Sequence, residues 1–177
     1  MPELKHESVK PWLLMMDLDG TVWDHLDISS VVPPYNLVQN GSISNVQGIR
    51  INVFPQAVSF IEWARRHGAI TCTLSWNYTD YVMQALSVLG LIGLFDYHET
   101  EFSPDKDRRI IHLLEILKAK GIEIPPERIV YVDDRDIHIS DIRRNVGNVL
   151  FIHIWKSVRD YSEAKRLIEE NLLIKIG

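Results

Sequence analysis

The chain has 177 residues, 46% of them hydrophobic, which is enough for one well-buried core and too few for two full domains. Its formal net charge is −5 with no block of lysine or arginine, which argues against a nucleic-acid partner held by bulk electrostatics and favours a small ligand. No apolar stretch reaches the about 18 residues of a membrane helix, no signal-peptide pattern opens the chain, and the single cysteine, Cys72, sits in the strand-like "AITCTL". A soluble, cytoplasmic protein of one domain over residues 1–177 is expected; composition says nothing of its oligomeric state.

Residues Trp12 to Met16 form a short, continuous apolar run, the pattern of a strand buried on both faces of a parallel sheet. It leads into Asp17 and Asp19, whose side chains point to the same side if the backbone stays extended. Between Asn36 and Pro55, Asn40-Gly41 and its β-prone flanks predict a type I′ hairpin with positive φ at both centres, and hence a small β-flap over about residues 36–54. "FPQAVSFIEWARRHG" predicts an amphipathic helix, with Pro55 in its first turn, Ala57, Phe60, Ile61 and Ala64 on one face, and Gly68 as the stop. Ala69 to Leu74 is the second strand, "NYTDYVMQALSVLG" a helix ending at Gly90, and "LFDYHE" a short third strand. In "SPDKDRRIIHLLEILKAKG" Ser103 is the expected cap, Pro104 stands in the first turn, and Ile110, Leu113, Leu114 and Leu117 share a face. "RIVYVDD" is the next strand, "DIHISDIRRNVG" a short helix, "NVLFIHI" a last central strand and "SEAKRLIEENLL" a final helix. Strands alternating with helices predict an α/β fold with a doubly wound, mostly parallel Rossmann-like sheet.

The charged residues collect where strands end. Asp17 and Asp19 close the first strand, Ser75 follows the second, Lys106 opens the long helix, and Asp133 and Asp134 close "IVYVDD". Open α/β sheets bind ligands in the crevice beyond the carboxyl ends of their strands. Four carboxylates converging there repel one another, and one lysine is small compensation, so a hard divalent cation such as magnesium is the economical answer. With the cation present Asp17 stays ionised and can attack phosphorus, while Asp19 gives a proton to the leaving oxygen and later takes one from water.

The stretch "DLDGT" (Asp17 to Thr21) resembles the first motif of the haloacid-dehalogenase-like superfamily, and Leu74-Ser75, Lys106 and Val132 to Asp134 follow in the order of the other three. "DGTVW", "VPP" at Val32 to Pro34, the Asn-Gly hairpin, Phe54-Pro55 and "DDRDIH" further resemble the magnesium-dependent phosphatase-1 family, from about Trp12 to Ile154. The resemblance implies a capless fold with the flap in the cap's place, a Mg2+ cofactor, and phosphate esters of small molecules or proteins as substrates. It implies that Asp17 is the phosphate-accepting nucleophile and a metal ligand, and that Asp19 is the general acid/base with its backbone carbonyl on the metal. Asp134 then completes the metal shell with Asp133 close behind, and Leu18, Asp19, Ser75, Trp76 and Lys106 hold the phosphate. Trp76 and Asn77 stand where relatives often carry Arg and Thr, and His138 where Asn is common. Trp23, Tyr35, Trp76 and His138 are candidates for a substrate wall.

Taken singly, these residues have plainer readings. Ser75 can cap a helix, Lys106 can lie on a solvated face, His138 can be a hydrogen-bonded histidine, and Trp23, Tyr35 and Trp76 can simply pack the flap. Their order on successive elements is what points to chemistry. A phosphotransferase would use the same Asp17 but shield its intermediate from water, for which a small flap is inadequate. A non-catalytic, receiver-like phospho-binding module leaves an aspartate two residues after the nucleophile without a task.

Overall fold

The computed structural model describes residues 10–173. Strand β1 (Trp12–Met16) is followed by a three-stranded antiparallel insert, β2 (Asn36–Gln39), β3 (Ser42–Ser44) and β4 (Arg50–Asn52). Helix α1 (Pro55–Arg66), β5 (Ala69–Trp76), α2 (Thr79–Val88), β6 (Tyr97–Glu101) and α3 (Lys106–Ala119) come next. The chain then runs through β7 (Ile129–Asp133), α4 (Ile139–Asn145), β8 (Leu150–His153) and α5 (Tyr161–Ile168). The main sheet is parallel throughout, in the order β6-β5-β1-β7-β8.

β1 is central because both its faces are apolar. Trp12, Leu14 and Met16 pack with Phe60, Ile61, Ala64, Ala164 and Ile168 of α1 and α5, while Leu13 and Met15 pack with Leu74, Ile110, Leu113, Leu117 and Tyr131. All five β1 residues are fully buried, and each large side chain so placed contributes about 1.5–3 kcal/mol. Met16 stands opposite Thr73 on β5 and Val132 on β7, so β1 and β7 end within one residue of the same level while β5 runs three residues further. Asp17 follows at once, its N–H donating to the Val132 carbonyl at 3.0 Å. The acidic residues are therefore delivered to one edge by strand length and register.

Some sequence expectations need correction. β5 continues to Trp76, because Cys72 to Trp76 pair with Tyr97 to Glu101, so Ser75 lies within the strand and not after it. β8 is an edge strand and not a central one, with β7 as its sheet neighbour. α3 begins at Lys106 behind Asp105, and Ser103 Oγ accepts from the Asp105 N–H at 3.3 Å in place of capping the helix. In the hairpin only Gly41 takes positive φ, +79°, and the register slips between Leu37 and Gln39, so the type I′ turn is not formed. In the insert Ile43 and Ile51 are fully buried in the α1/α5-side core, while Leu37 and Val38 face outward. Among the described residues no helix is long and apolar enough to cross a membrane.

Candidate active site

Beyond Met16 the backbone leaves the strand. The Leu18 carbonyl accepts from the N–H groups of Thr21, Val22 and Trp23 at 3.0, 2.9 and 3.3 Å, a tight loop that places Gly20 at φ +69°. A Cβ on Gly20 would lie 2.4 Å from Asp134 Oδ2, so only glycine lets that carboxylate approach. The loop also ends the two-residue alternation, and the Asp17 and Asp19 side chains take different partners.

Asp17, buried, accepts from Lys106 Nζ on Oδ1 at 2.9 Å and from the Thr21 hydroxyl on Oδ2 at 2.9 Å. The same ammonium donates to Asp133 Oδ2 at 2.7 Å, where the Tyr131 hydroxyl also donates, and the Arg135 N–H reaches Asp133 Oδ1 at 3.0 Å. Asp134 is tied in through Thr21, whose Oγ1 accepts the Asp134 N–H at 3.1 Å. Each of Asp17, Asp133 and Asp134 offers an oxygen within 4.8 Å of the others. Burial pushes the Asp17 carboxyl well up against the pull of Lys106, and Asp133 and Asp134 push the same way. Burial also raises Asp133, but Lys106 and the donated hydrogen bonds outweigh it and hold that carboxyl below its ordinary value. Asp134 is raised by burial and by Asp133, and Lys106, despite burial, is held firmly cationic by Asp17 and Asp133. One lysine offsets one of three carboxylates, and a hard divalent cation with oxygen ligands matches the remaining charge, so this donor set fits Mg2+.

The Asp19 carboxylate lies outside that trio. Its Oδ1 accepts from Trp23 Nε1 at 2.7 Å, and its Oδ2 from the Ile28 N–H at 3.2 Å and Asn77 Nδ2 at 2.6 Å. Burial raises its carboxyl, only partly offset by the Trp23 and Ile28 donors.

Ser75 is buried near the end of β5, two residues past the Thr73–Met16 pair. Its carbonyl accepts from the Arg109 guanidinium, which also donates to Glu99 O at 3.1 Å and Ser103 O at 2.7 Å, clamping the segment before α3. Trp76, 36% exposed, meets the buried His138 ring edge to face at 6.1 Å across the crevice. Burial and the Lys106 charge depress the His138 imidazole to about 4, so it is neutral, and its Nε2 has no hydrogen-bond partner. Trp23 and Tyr35 do not line an open wall. Both are in the core, the Trp23 indole N–H on Asp19 and the Tyr35 hydroxyl donating to the Val31 carbonyl at 2.7 Å.

The sequence assigns no task to Thr21, Tyr131, Arg109 or Asn77. Two carried a usable signal: Tyr131 stands two before Asp133 and therefore on the same strand face, and Arg109 stands one helical turn after Lys106.

A parallel five-stranded sheet, a small antiparallel insert after its central strand and an acidic cluster at the carboxyl edge define a haloacid-dehalogenase-like fold. In sequence it resembles human magnesium-dependent phosphatase 1, 26% identical over 145 residues, 81% of this chain and 78% of that protein. No family model matches the chain. Among solved structures it resembles the HAD domain of the Legionella pneumophila effector Lem4, with TM-score 0.62, 12% identity, and coverage of 96% of this chain and 97% of that one. It also resembles the N-terminal part of BF1531 from Bacteroides fragilis, which contains a phosphatase domain and was solved with Mg, at TM-score 0.59 and 17% identity. That alignment takes in 93% of this chain, which spans 41% of the length of the BF1531 chain.

Proposed function

We propose that the protein is a magnesium-dependent phosphomonoester hydrolase acting through a phosphoaspartyl intermediate on Asp17. One observation carries this reading: Lys106 Nζ bridges Asp17 and Asp133 at the foot of the crevice, with Asp134 beside them. The likeness to magnesium-dependent phosphatase 1 supports it from the side of sequence.

Asp17, Asp133, Asp134 and the Asp19 carbonyl are the groups that would hold Mg2+. When bound, the ion supplies positive charge that keeps the carboxylates ionised and draws off charge developing on phosphoryl oxygens. The Asp17 carboxylate forms a bond to phosphorus as the ester P–O bond breaks, and Asp19 passes its proton to the departing oxygen. In the second half Asp19 takes a proton from water as that oxygen bonds to phosphorus and releases Asp17. Lys106 stays charged throughout and, with Ser75 and the loop at Leu18, holds phosphoryl oxygens. Trp76 and His138 line the crevice beside Lys106, and the ester they admit is a small-molecule phosphate or a phosphoprotein side chain.

The test is hydrolysis of 4-nitrophenyl phosphate with Mg2+. Activity is expected to vanish with chelator and to fall at least about 10³-fold in Asp17→Asn. Full activity in chelator refutes the metal, and retained activity in Asp17→Asn refutes the nucleophile.

A further inference from the structure

Three N–H groups converge on the Asp19 carboxylate, and none belongs to a residue with a task in the reaction described above. The Trp23 indole takes Oδ1 at 2.7 Å, while the Ile28 N–H at 3.2 Å and Asn77 Nδ2 at 2.6 Å take Oδ2. A carboxylate offers about four acceptor sites, two on each oxygen. Oδ2 is therefore filled, and Oδ1 keeps one site open.

Asn77 is itself held from two sides. It is 1% exposed, its backbone N–H donates to Glu101 O at 2.9 Å, and its side-chain oxygen accepts from the Tyr78 N–H at 3.1 Å. Because that oxygen faces a donor, the amide cannot be the other way round, and the group aimed at Asp19 is the NH2. The contact joins the loop after β1 to the loop after β5 across 58 residues of sequence. A hydrogen bond to a charged acceptor is among the stronger polar contacts a protein makes, and its placement here fixes which oxygen remains free.

We propose that Asn77 is a positioning residue for proton transfer, occupying Asp19 Oδ2 so that the proton leaves and returns through Oδ1, with the Trp23 indole fixing the carboxylate plane. The proposal rests on Asp19 being the general acid/base. As the ester bond breaks, the proton on Oδ1 moves to the leaving oxygen; as water attacks, one of its protons returns to Oδ1. Without Asn77, Oδ2 loses a partner and the carboxylate can turn about its own axis, placing the proton away from the leaving oxygen.

The consequence is selective, because a good leaving group needs little proton donation and a poor one needs it fully. The experiment compares kcat/KM for 4-nitrophenyl phosphate and for glycerol phosphate, both with Mg2+, in wild type, Asn77→Ala, Trp23→Phe and Asp19→Asn. Asn77→Ala is expected to lose roughly 10- to 100-fold on the glycerol ester and less than about fivefold on the aryl ester. Trp23→Phe is expected to shift the ratio in the same direction by less, and Asn77→Ala in the Asp19→Asn background to add no further shift. Equal losses on both esters in Asn77→Ala, with the ratio altered in Asp19→Asn, overturn the role of Asn77 and leave the acid/base reading standing. An unaltered ratio in Asp19→Asn overturns that reading and the proposal with it. Thermal melts accompany each variant. If Asn77→Ala does not fold, Asn77→Ser carries the same expectations, since its hydroxyl serves the Tyr78 N–H and is too short to reach Asp19.

Discussion

Replacing Lys106 by methionine keeps a long apolar stem in place and removes one charge from between two buried carboxylates. Both halves of the ion pair system are almost fully shielded, with the Lys106 side chain at 0% and those of Asp17 and Asp133 at 5% and 0% exposure. Removing one partner of a buried pair costs about 3–5 kcal/mol, because the remaining charge is left uncompensated. For a chain of this length each kcal/mol moves Tm by about 2–4 °C, so metal-free Lys106→Met is expected to melt roughly 6–20 °C below wild type at pH 7.5. The pH dependence separates charge from packing. In wild type Lys106 holds Asp133 below the ordinary carboxylate value, so its stabilisation is present at neutral pH and is lost as pH falls through that lowered value. Without the lysine, burial and mutual repulsion raise both carboxyls, and groups with raised values destabilise the fold as pH rises through the ordinary carboxylate range. The gap between wild type and variant is thus expected to be widest at neutral pH, to shrink toward pH 5, and to shrink on adding Mg2+. Calorimetric melts in chelator and in magnesium, from pH 5 to 8, measure it. A gap that ignores both pH and metal would refute the electrostatic reasoning and leave Lys106 as a packing residue.

Gly20→Ala forces a side chain into the left-handed region, about 1–2 kcal/mol, and sets its Cβ against Asp134 Oδ2. Tm is expected to fall by about 2–8 °C and Mg2+ affinity at least about tenfold, read by calorimetry and isothermal titration; unchanged affinity would contradict the role given to that carboxylate. Because Asp17 and Asp134 are both raised above the ordinary carboxylate value, a cation must displace protons to bind them. The Mg2+-induced rise in Tm is therefore expected to be larger at pH 8 than at pH 6, and a larger rise in acid would be the wrong sign.

The strands and their order along the chain were legible because β1, β5 and β7 are short apolar runs bounded by turn residues, and such runs fit a sheet covered on both faces. Their ends told where polar residues would gather, and Lys106 was legible from its place at the start of a strongly patterned helix. What escaped were features set by residues far apart in sequence. β8 reads as apolar as a central strand, yet its place at the edge follows from sheet order, which periodicity does not encode. The Asn40-Gly41 pair signals a turn, but local pattern signals neither the slip between Leu37 and Gln39 nor the burial of Ile43 and Ile51 in the core. Trp23 and Tyr35 looked suited to a pocket wall because large aromatics with one polar atom suit rims; here each polar atom found an internal partner, and burial won. The Asp19 lock depends on a contact across 58 residues, which spacing alone does not show.

The loop after β1 is also pinned from behind. The Trp155 indole donates to Gly20 O at 2.9 Å, and the Tyr161 hydroxyl donates to Thr21 O at 2.6 Å, contacts spanning 135 and 140 residues. Trp155 holds φ at +66° to do so, a conformation that a bulky residue keeps only when its surroundings enforce it. During synthesis, then, the acidic loop is made well before its partners and gains these two braces only after residues 155 and 161 have been added. At ribosomal rates of about 5–20 residues per second that delay is roughly 7–28 s. Throughout it the nascent chain carries "DLDGT" without its final scaffold, and the loop is braced only late in the birth of each molecule.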